Sequence, residues 1–192
     1  MDRRMLLHLG TWFLMAIAAG IAFDSFCSNF MGNKKSSPAT PAPTVAVRLP
    51  EPDGHPGLPM IVEKVILDEH EWQRRLDPEQ YRVTRSKGTE RPFCGGFLGE
   101  KRSGLYLCVG CALPLFASEA KFDSGTGWPS FFRPFAEENV AERQDTSHGL
   151  RRIEILCMRC DAHLGHVFDD GPPPTGKRYC LNSAALVFRP RE

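Results

Sequence analysis

Near the C-terminus, Arg178-Tyr179-Cys180-Leu181-Asn182-Ser183 sets a permanent cation, a thiol and an amide at alternate positions. Side chains alternate in direction along a β-strand, so Arg178, Cys180 and Asn182 would share one face. The thiolate, not the thiol, is the nucleophile, and a neighbouring guanidinium favours the charged form. Cys180 is therefore a candidate nucleophile. A buried core cysteine is the competing reading.

Four other cysteines come in two equal pairs, Cys108-Val109-Gly110-Cys111 and Cys157-Met158-Arg159-Cys160. Each CxxC closes a short alternating stretch, Gly104–Leu107 or Ile153–Leu156, that reads as a strand. Two such knuckles can deliver four thiolates to one tetrahedral zinc in a closed structural site. The 45 residues between the pairs exceed the spacing of a compact zinc ribbon, so a large insertion would lie between the knuckles. Two disulfides, or one redox-active CxxC, are the alternatives. Cys94 precedes Gly95-Gly96 in a loop, where a thiol can serve chemistry or be incidental.

Proton carriers and an aromatic wall are also present. Asp161-Ala162-His163-Leu164-Gly165-His166-Val167-Phe168-Asp169-Asp170 holds two histidines and an acidic pair, suited to moving protons near neutral pH. The histidines could instead bind metal, and the acids could form a solvated turn. Lys121-Phe122-Asp123-Ser124-Gly125-Thr126-Gly127-Trp128-Pro129 sets Trp128 among glycines, either as a wall for a small apolar group or as core.

These residues need a scaffold. Folding is expected to begin near Met60, with short helices over 68–76, headed by a capping box of Asp68 and Glu71, and over 78–84 after Asp77-Pro78. Strands should carry the remainder of a folded domain spanning 60–192. The chain has 192 residues, 42% hydrophobic, enough for one core without disulfides. Its net charge of +1 gives no electrostatic case for nucleic acid, and seven cysteines cannot all pair within the chain. A monomer is the expectation.

The first 32 residues read as a signal peptide or membrane anchor: Arg3-Arg4 precedes an uncharged run from Met5 to Phe23, long enough to span a bilayer. Arg3-Arg4-Met5-Leu6-Leu7 resembles a twin-arginine export signal. Delivery to the periplasmic side of the cell envelope follows, either anchored or released by cleavage. Cys27 follows Phe26 and is read as incidental. Residues 33–59, with seven prolines, read as a disordered tether.

Taken in series, Gly88-Thr89-Glu90-Arg91-Pro92-Phe93, the two CxxC knuckles, Gly127-Trp128-Pro129-Ser130-Phe131, His163–Phe168 and Arg178–Ser183 resemble the B-type methionine sulfoxide reductases. The likeness runs over roughly residues 66 to 189. It implies a mainly β fold, with antiparallel sheets in a barrel-like or tent arrangement, short N-terminal helices and a structural zinc on Cys108, Cys111, Cys157 and Cys160. It implies reduction of the R epimer of methionine sulfoxide in oxidised proteins, the repair of one of two sulfoxide epimers.

Carried onto this chain, the resemblance makes Cys180 the attacking thiolate and assigns protonation and its water network to His163, His166 and Asp170. Arg178 would hold the thiolate, Asn182 would orient its neighbours, and Trp128 with Phe168 would wall the methyl pocket. Many members place a resolving cysteine where this chain has Thr126. A subset has it in the loop after Pro-Phe, where Cys94 stands, implying a Cys94–Cys180 disulfide recycled by a thioredoxin-like reductant. Two other classes remain: a non-enzymatic four-cysteine zinc module, which leaves Cys180 and Trp128 unexplained, and a thiol oxidoreductase, which lacks a thioredoxin-like βαβ pattern.

Overall fold

In the computed structural model, which describes residues 41–191, the chain forms strands β1 (Thr44–Val47) and β2 (Met60–Glu63), then helices α1 (Glu69–Arg75) and α2 (Pro78–Thr84). Nine strands follow: β3 (Gly104–Cys108), β4 (Pro114–Ala117), β5 (Lys121–Phe122), β6 (Ser130–Phe131), β7 (Val140–Asp145), β8 (Arg152–Cys157), β9 (His163–Phe168), β10 (Arg178–Leu181) and β11 (Leu186–Pro190). The mainly β expectation holds. Every strand pairing is antiparallel, in a six-stranded sheet of order β5-β6-β10-β9-β8-β7, a three-stranded sheet β11-β3-β4 and a two-stranded sheet β1-β2. The six-stranded sheet ends at β5 and β7 without closing, so the arrangement is open sheets rather than a barrel.

Both helices lie where their caps predict. The Asp68 carboxylate accepts from the Glu71 N–H to start α1, and Asp77 and Gln80 exchange a full capping box around Pro78 at the head of α2. They bury Trp72, Leu76 and Val83 against the sheets.

The N-terminal boundary requires a correction. Thr44–Val47 lies inside the segment read as a tether, yet it pairs residue for residue with Met60–Glu63, and Val47 is 0% exposed. The apolar alternation of Val45 and Val47 outweighs the surrounding prolines, because every proline here falls outside the paired residues. Among the described residues no helix is long and apolar enough to cross a membrane. The Met5–Phe23 run and Cys27 lie outside the described residues.

Between the two larger sheets, aromatic rings form the centre of the core. Phe131 of β6 meets Tyr106 of β3 at 4.9 Å and Phe116 of β4 at 4.8 Å, and Phe116 reaches Tyr179 of β10 at 5.6 Å. Tyr179 and Leu181 face this core, and alternation turns Cys180 to the opposite face of β10. Rigid packing under the strand thus fixes where the thiol points.

Candidate active site

Cys180 sits in the middle of the six-stranded sheet, paired with Ser130 of β6 on one side and His166 of β9 on the other. It lines a cavity of about 160 Å³ with Thr89, Trp128, Arg152, Gly165, His166, Phe168, Leu181 and Asn182. Trp128, His166, Phe168, Cys180 and Asn182, widely separated in sequence, are thereby brought together. A larger cavity of about 420 Å³ lies beyond Trp128 and contains no thiol.

Close backbone approach makes this assembly possible. A Cβ on Gly165 would collide with the Cys180 carbonyl oxygen, so only glycine lets β9 pass this near the thiol-bearing strand. Gly127, at φ +90°, likewise has Pro92 Cβ at 2.8 Å from where its Cβ would stand, and its carbonyl accepts from the Phe93 N–H. Those contacts clamp the Trp128 loop to the 88–93 loop.

Glu90 joins both loops to β10. Its buried carboxylate accepts from Ser183 N at 2.6 Å and Ala184 N at 3.0 Å, closing the turn after β10. Its N–H donates to Asn182 Oδ1, and its carbonyl accepts from Trp128 Nε1 at 3.1 Å. Asn182 also donates through Nδ2 to the Leu164 carbonyl. It therefore orients its surroundings by tying three segments together.

The two histidines have different positions. Strict alternation would put His163 and His166 on opposite faces of β9, but a register shift leaves Leu164 without a partner and brings both rings to one side, 5.5 Å apart. His166 lines the cavity, with Nε2 held 2.8 Å from Asp145 Oδ2. The Asp145 carboxyl is held well below its usual range by hydrogen bonds from Ser147 first, then by His166 and Arg152. His163 is buried outside the cavity lining; its Nδ1 meets Glu154 Oε1 at 2.8 Å and its Nε2 has no partner. Burial depresses its basicity more than Glu154 restores it.

Glu154 is 1% exposed. Burial raises its carboxyl, but His163, Arg143 and Lys87 together outweigh that and hold it ionised.

Arg178 favours the Cys180 thiolate as expected, but burial pushes the thiol up, and Arg178, Thr126 and Ser130 only partly oppose it. Asp170 is exposed and outside the cavity lining, and it forks with Arg178 through two 2.8 Å bonds that keep its carboxyl below the usual range. The Arg178 guanidinium is also stacked on Phe168, 4.4 Å from the ring centre, so the pair buttresses one wall of the pocket.

Cys94 is exposed and lies outside the cavity. It borders a separate surface hollow with Thr89, Glu90 and Arg91. The glycine after it is not loose, since Gly95 packs against Ser183 and Glu90.

The four knuckle cysteines converge as their spacing suggests. Their sulfurs all lie within 4.8 Å of one another, with Cys108–Cys160 and Cys111–Cys157 each at 3.5 Å. A tetrahedral metal at Zn–S distances of about 2.3 Å sets neighbouring sulfurs roughly 3.8 Å apart, so the cage fits a divalent ion. Burial and neighbouring thiols push Cys157 far up, so a thiolate there requires a cation. The closest contacts run between knuckles rather than within a CxxC, and all four cysteines are unbridged. None lines the Cys180 cavity.

Sequence reasoning missed Thr89, Asp145, Arg152 and Glu154 as parts of this region. A lone carboxylate in an otherwise apolar strand, Glu154 in Ile153–Leu156, offered a local signal.

A SelR domain model matches residues 76–190. Three relatives are each named peptide methionine sulfoxide reductase MsrB. The Chromohalobacter salexigens protein is 61% identical over 131 residues, covering 68% of this chain and 98% of its own length. That of Pseudomonas putida strain W619 is 58% identical over 131 residues, covering 68% and 98%, and that of Hahella chejuensis is 59% identical over 127, covering 66% and 91%. With its thiol, aromatic wall and four-cysteine cage placed as described, the chain belongs to the MsrB family of peptide methionine sulfoxide reductases.

Proposed function

We propose that this protein reduces methionine R-sulfoxide in oxidised polypeptides, with Cys180 as the nucleophile. The observation that carries this reading is the small cavity in which one thiol, one histidine and the Trp128 and Phe168 rings converge. Its volume suits a methionine side chain, and its aromatic walls suit the methyl group.

The Cys180 thiolate attacks the sulfoxide sulfur while the oxygen receives a proton. His166, anchored through Nε2 to Asp145, leaves Nδ1 to carry a proton to that oxygen. The attack forms an S–S bond to Cys180 as the protonated oxygen leaves as water; a water then attacks the Cys180 sulfur, the S–S bond breaks to release methionine, and one proton returns to solvent. Methionine sulfur gains two electrons, Cys180 loses two, and the products are a thioether and a sulfenic acid. Cys94 then attacks the sulfenic sulfur, releasing water as the disulfide forms, and a thioredoxin-like dithiol returns two electrons. Because Cys94 stands outside the cavity, its loop has to swing, breaking the Cys94 N–H to Arg91 carbonyl contact of 3.3 Å.

The four-cysteine cage holds zinc in this reading. When bound, the metal supplies structural crosslinking and no chemistry at Cys180. Export through the Arg3-Arg4 signal after folding would shield these thiols from an oxidising envelope. Unchanged localisation on replacing both arginines by lysine would rule that route out.

A stereospecific assay on a blocked methionine sulfoxide tests the central claim. Turnover of the R epimer alone is expected, and turnover of the S epimer alone overturns it. After one turnover without reductant, mass spectrometry should find a Cys94–Cys180 peptide; sulfenic acid alone would remove Cys94 from the cycle.

A further inference from the structure

Three hydroxyl groups behind Cys180 take no part in the chemistry above. Ser124 Oγ lies 2.8 Å from Thr126 Oγ1 and 2.7 Å from Ser130 Oγ. Thr126 Oγ1 is 4.0 Å from Cys180 Sγ, and Ser130 Oγ is 3.2 Å from the Trp128 carbonyl oxygen. Ser130 is 0% exposed, and the register of β6 with β10 fixes it opposite Cys180. The hydroxyls thus form a line between the reactive sulfur and the backbone of the residue that walls its pocket.

Proton counting gives this line a direction. Four links join the five groups, and each hydroxyl has one proton to donate. With Cys180 as a thiol, its S–H supplies the fourth proton. Donation then runs one way: Cys180 to Thr126, Thr126 to Ser124, Ser124 to Ser130, Ser130 to the Trp128 carbonyl.

When Cys180 loses its proton to solvent, the sulfur becomes an acceptor only and three protons remain. The arrangement that satisfies the anion is the reverse one, with Ser130 donating to Ser124, Ser124 to Thr126 and Thr126 to the sulfur. The link given up is Ser130 to the Trp128 carbonyl, the longest oxygen–oxygen contact in the line. A separation of 4.0 Å suits a weak S–H donor, and a charged acceptor draws the hydroxyl closer.

We propose that Thr126, Ser124 and Ser130 are positioning residues that hold the Cys180 thiolate through a hydroxyl chain whose direction reverses when the thiol ionises. The inference rests on Cys180 being the nucleophile. It gives Thr126 a task of its own at a position where no disulfide can form. Thr126 acts against the burial that favours the thiol, in the same sense as Arg178. The other charged or titratable groups around the thiol are Arg178 with its partner Asp170, His166 with Asp145 behind it, and Arg152 on the cavity lining. None is altered in the variants that test the chain.

The test is the pH dependence of Cys180 alkylation in the full-length, metal-loaded protein, read on the Cys180 peptide by mass spectrometry. Thr126→Val should move the titration up by about one unit, lowering the thiolate share at neutral pH roughly tenfold. Ser124→Ala should move it the same way, and Thr126→Ser should restore it. The loss of kcat/KM in Thr126→Val should narrow as pH rises, because more alkaline solution supplies the thiolate by itself. A titration unmoved in both Thr126→Val and Ser124→Ala, or a Thr126→Ser variant as shifted as Thr126→Val, overturns the chain. Turnover retained in Cys180→Ser would instead remove the nucleophile on which it depends.

Discussion

The molecule uses cysteine in two regions, and the contrast lies in what surrounds each buried sulfur. In the cage, Cys108, Cys111, Cys157 and Cys160 face one another, so the neighbouring thiols favour one thiolate, at Cys111, while Cys108 and Cys157 are pushed up and need a cation to ionise beside it. Around Cys180 the neighbours are a guanidinium, hydroxyls, a histidine and an amide, and burial is opposed from within the protein. Clustering identical thiols makes a cage suited to a metal; isolating one among unlike polar groups makes a thiol that can change its charge. Reactivity here is set by neighbours rather than by residue type.

The largest test of that contrast is removal of the ion proposed for the cage. Chelation, or Cys157→Ser, should abolish cooperative unfolding as followed by circular dichroism, since structural sites of this class contribute on the order of 10 kcal/mol. Intact folding without metal would break the comparison. Cys180→Ser makes the opposite demand. It should lower kcat/KM on the order of a thousandfold or more while metal content and melting temperature stay near those of the parent.

A smaller effect separates the pocket's supports from the cage. Glu90→Ala strips the acceptor from the Ser183 and Ala184 N–H groups, at a cost of about 1–3 kcal/mol. Thermal melts should register this together with reduced activity, with the metal content of the cage unchanged. Smallest is Arg178→Gln. The guanidinium acts against burial on Cys180, so its loss should raise the thiol further and shift the acid limb of kcat/KM to higher pH, with activity falling most at neutral pH and recovering as pH rises. An unmoved limb would mean that Arg178 serves only to buttress Phe168 through its pair with Asp170.

Legibility followed the range of the forces involved. Helices α1 and α2 could be read because their caps lie within three residues of the groups they satisfy. Strand β1 could not, because a four-residue strand among prolines is defined by its partner β2, and only the pairing separates it from a tether. In the site, Cys180 and Trp128 stood out by residue type and setting. Glu90 did not, although it holds Asn182, Ser183, Ala184 and Trp128 together, because all four partners lie far from it in sequence.

By itself the sequence determined the ligand set of the cage, the alternation that turns Cys180 away from Tyr179 and Leu181, and the run of motifs that marks the family. Each depends on spacing along one segment, which local geometry fixes. Tertiary structure decided which acid and base groups meet the thiol. An unpaired residue in β9 brings His163 beside His166, Asp145 reaches His166 from the far edge strand, and Asp170 is drawn out to Arg178. Burial decided the thiol's charge preference as well, since desolvation depends on everything packed around a group and no stretch of sequence states that sum.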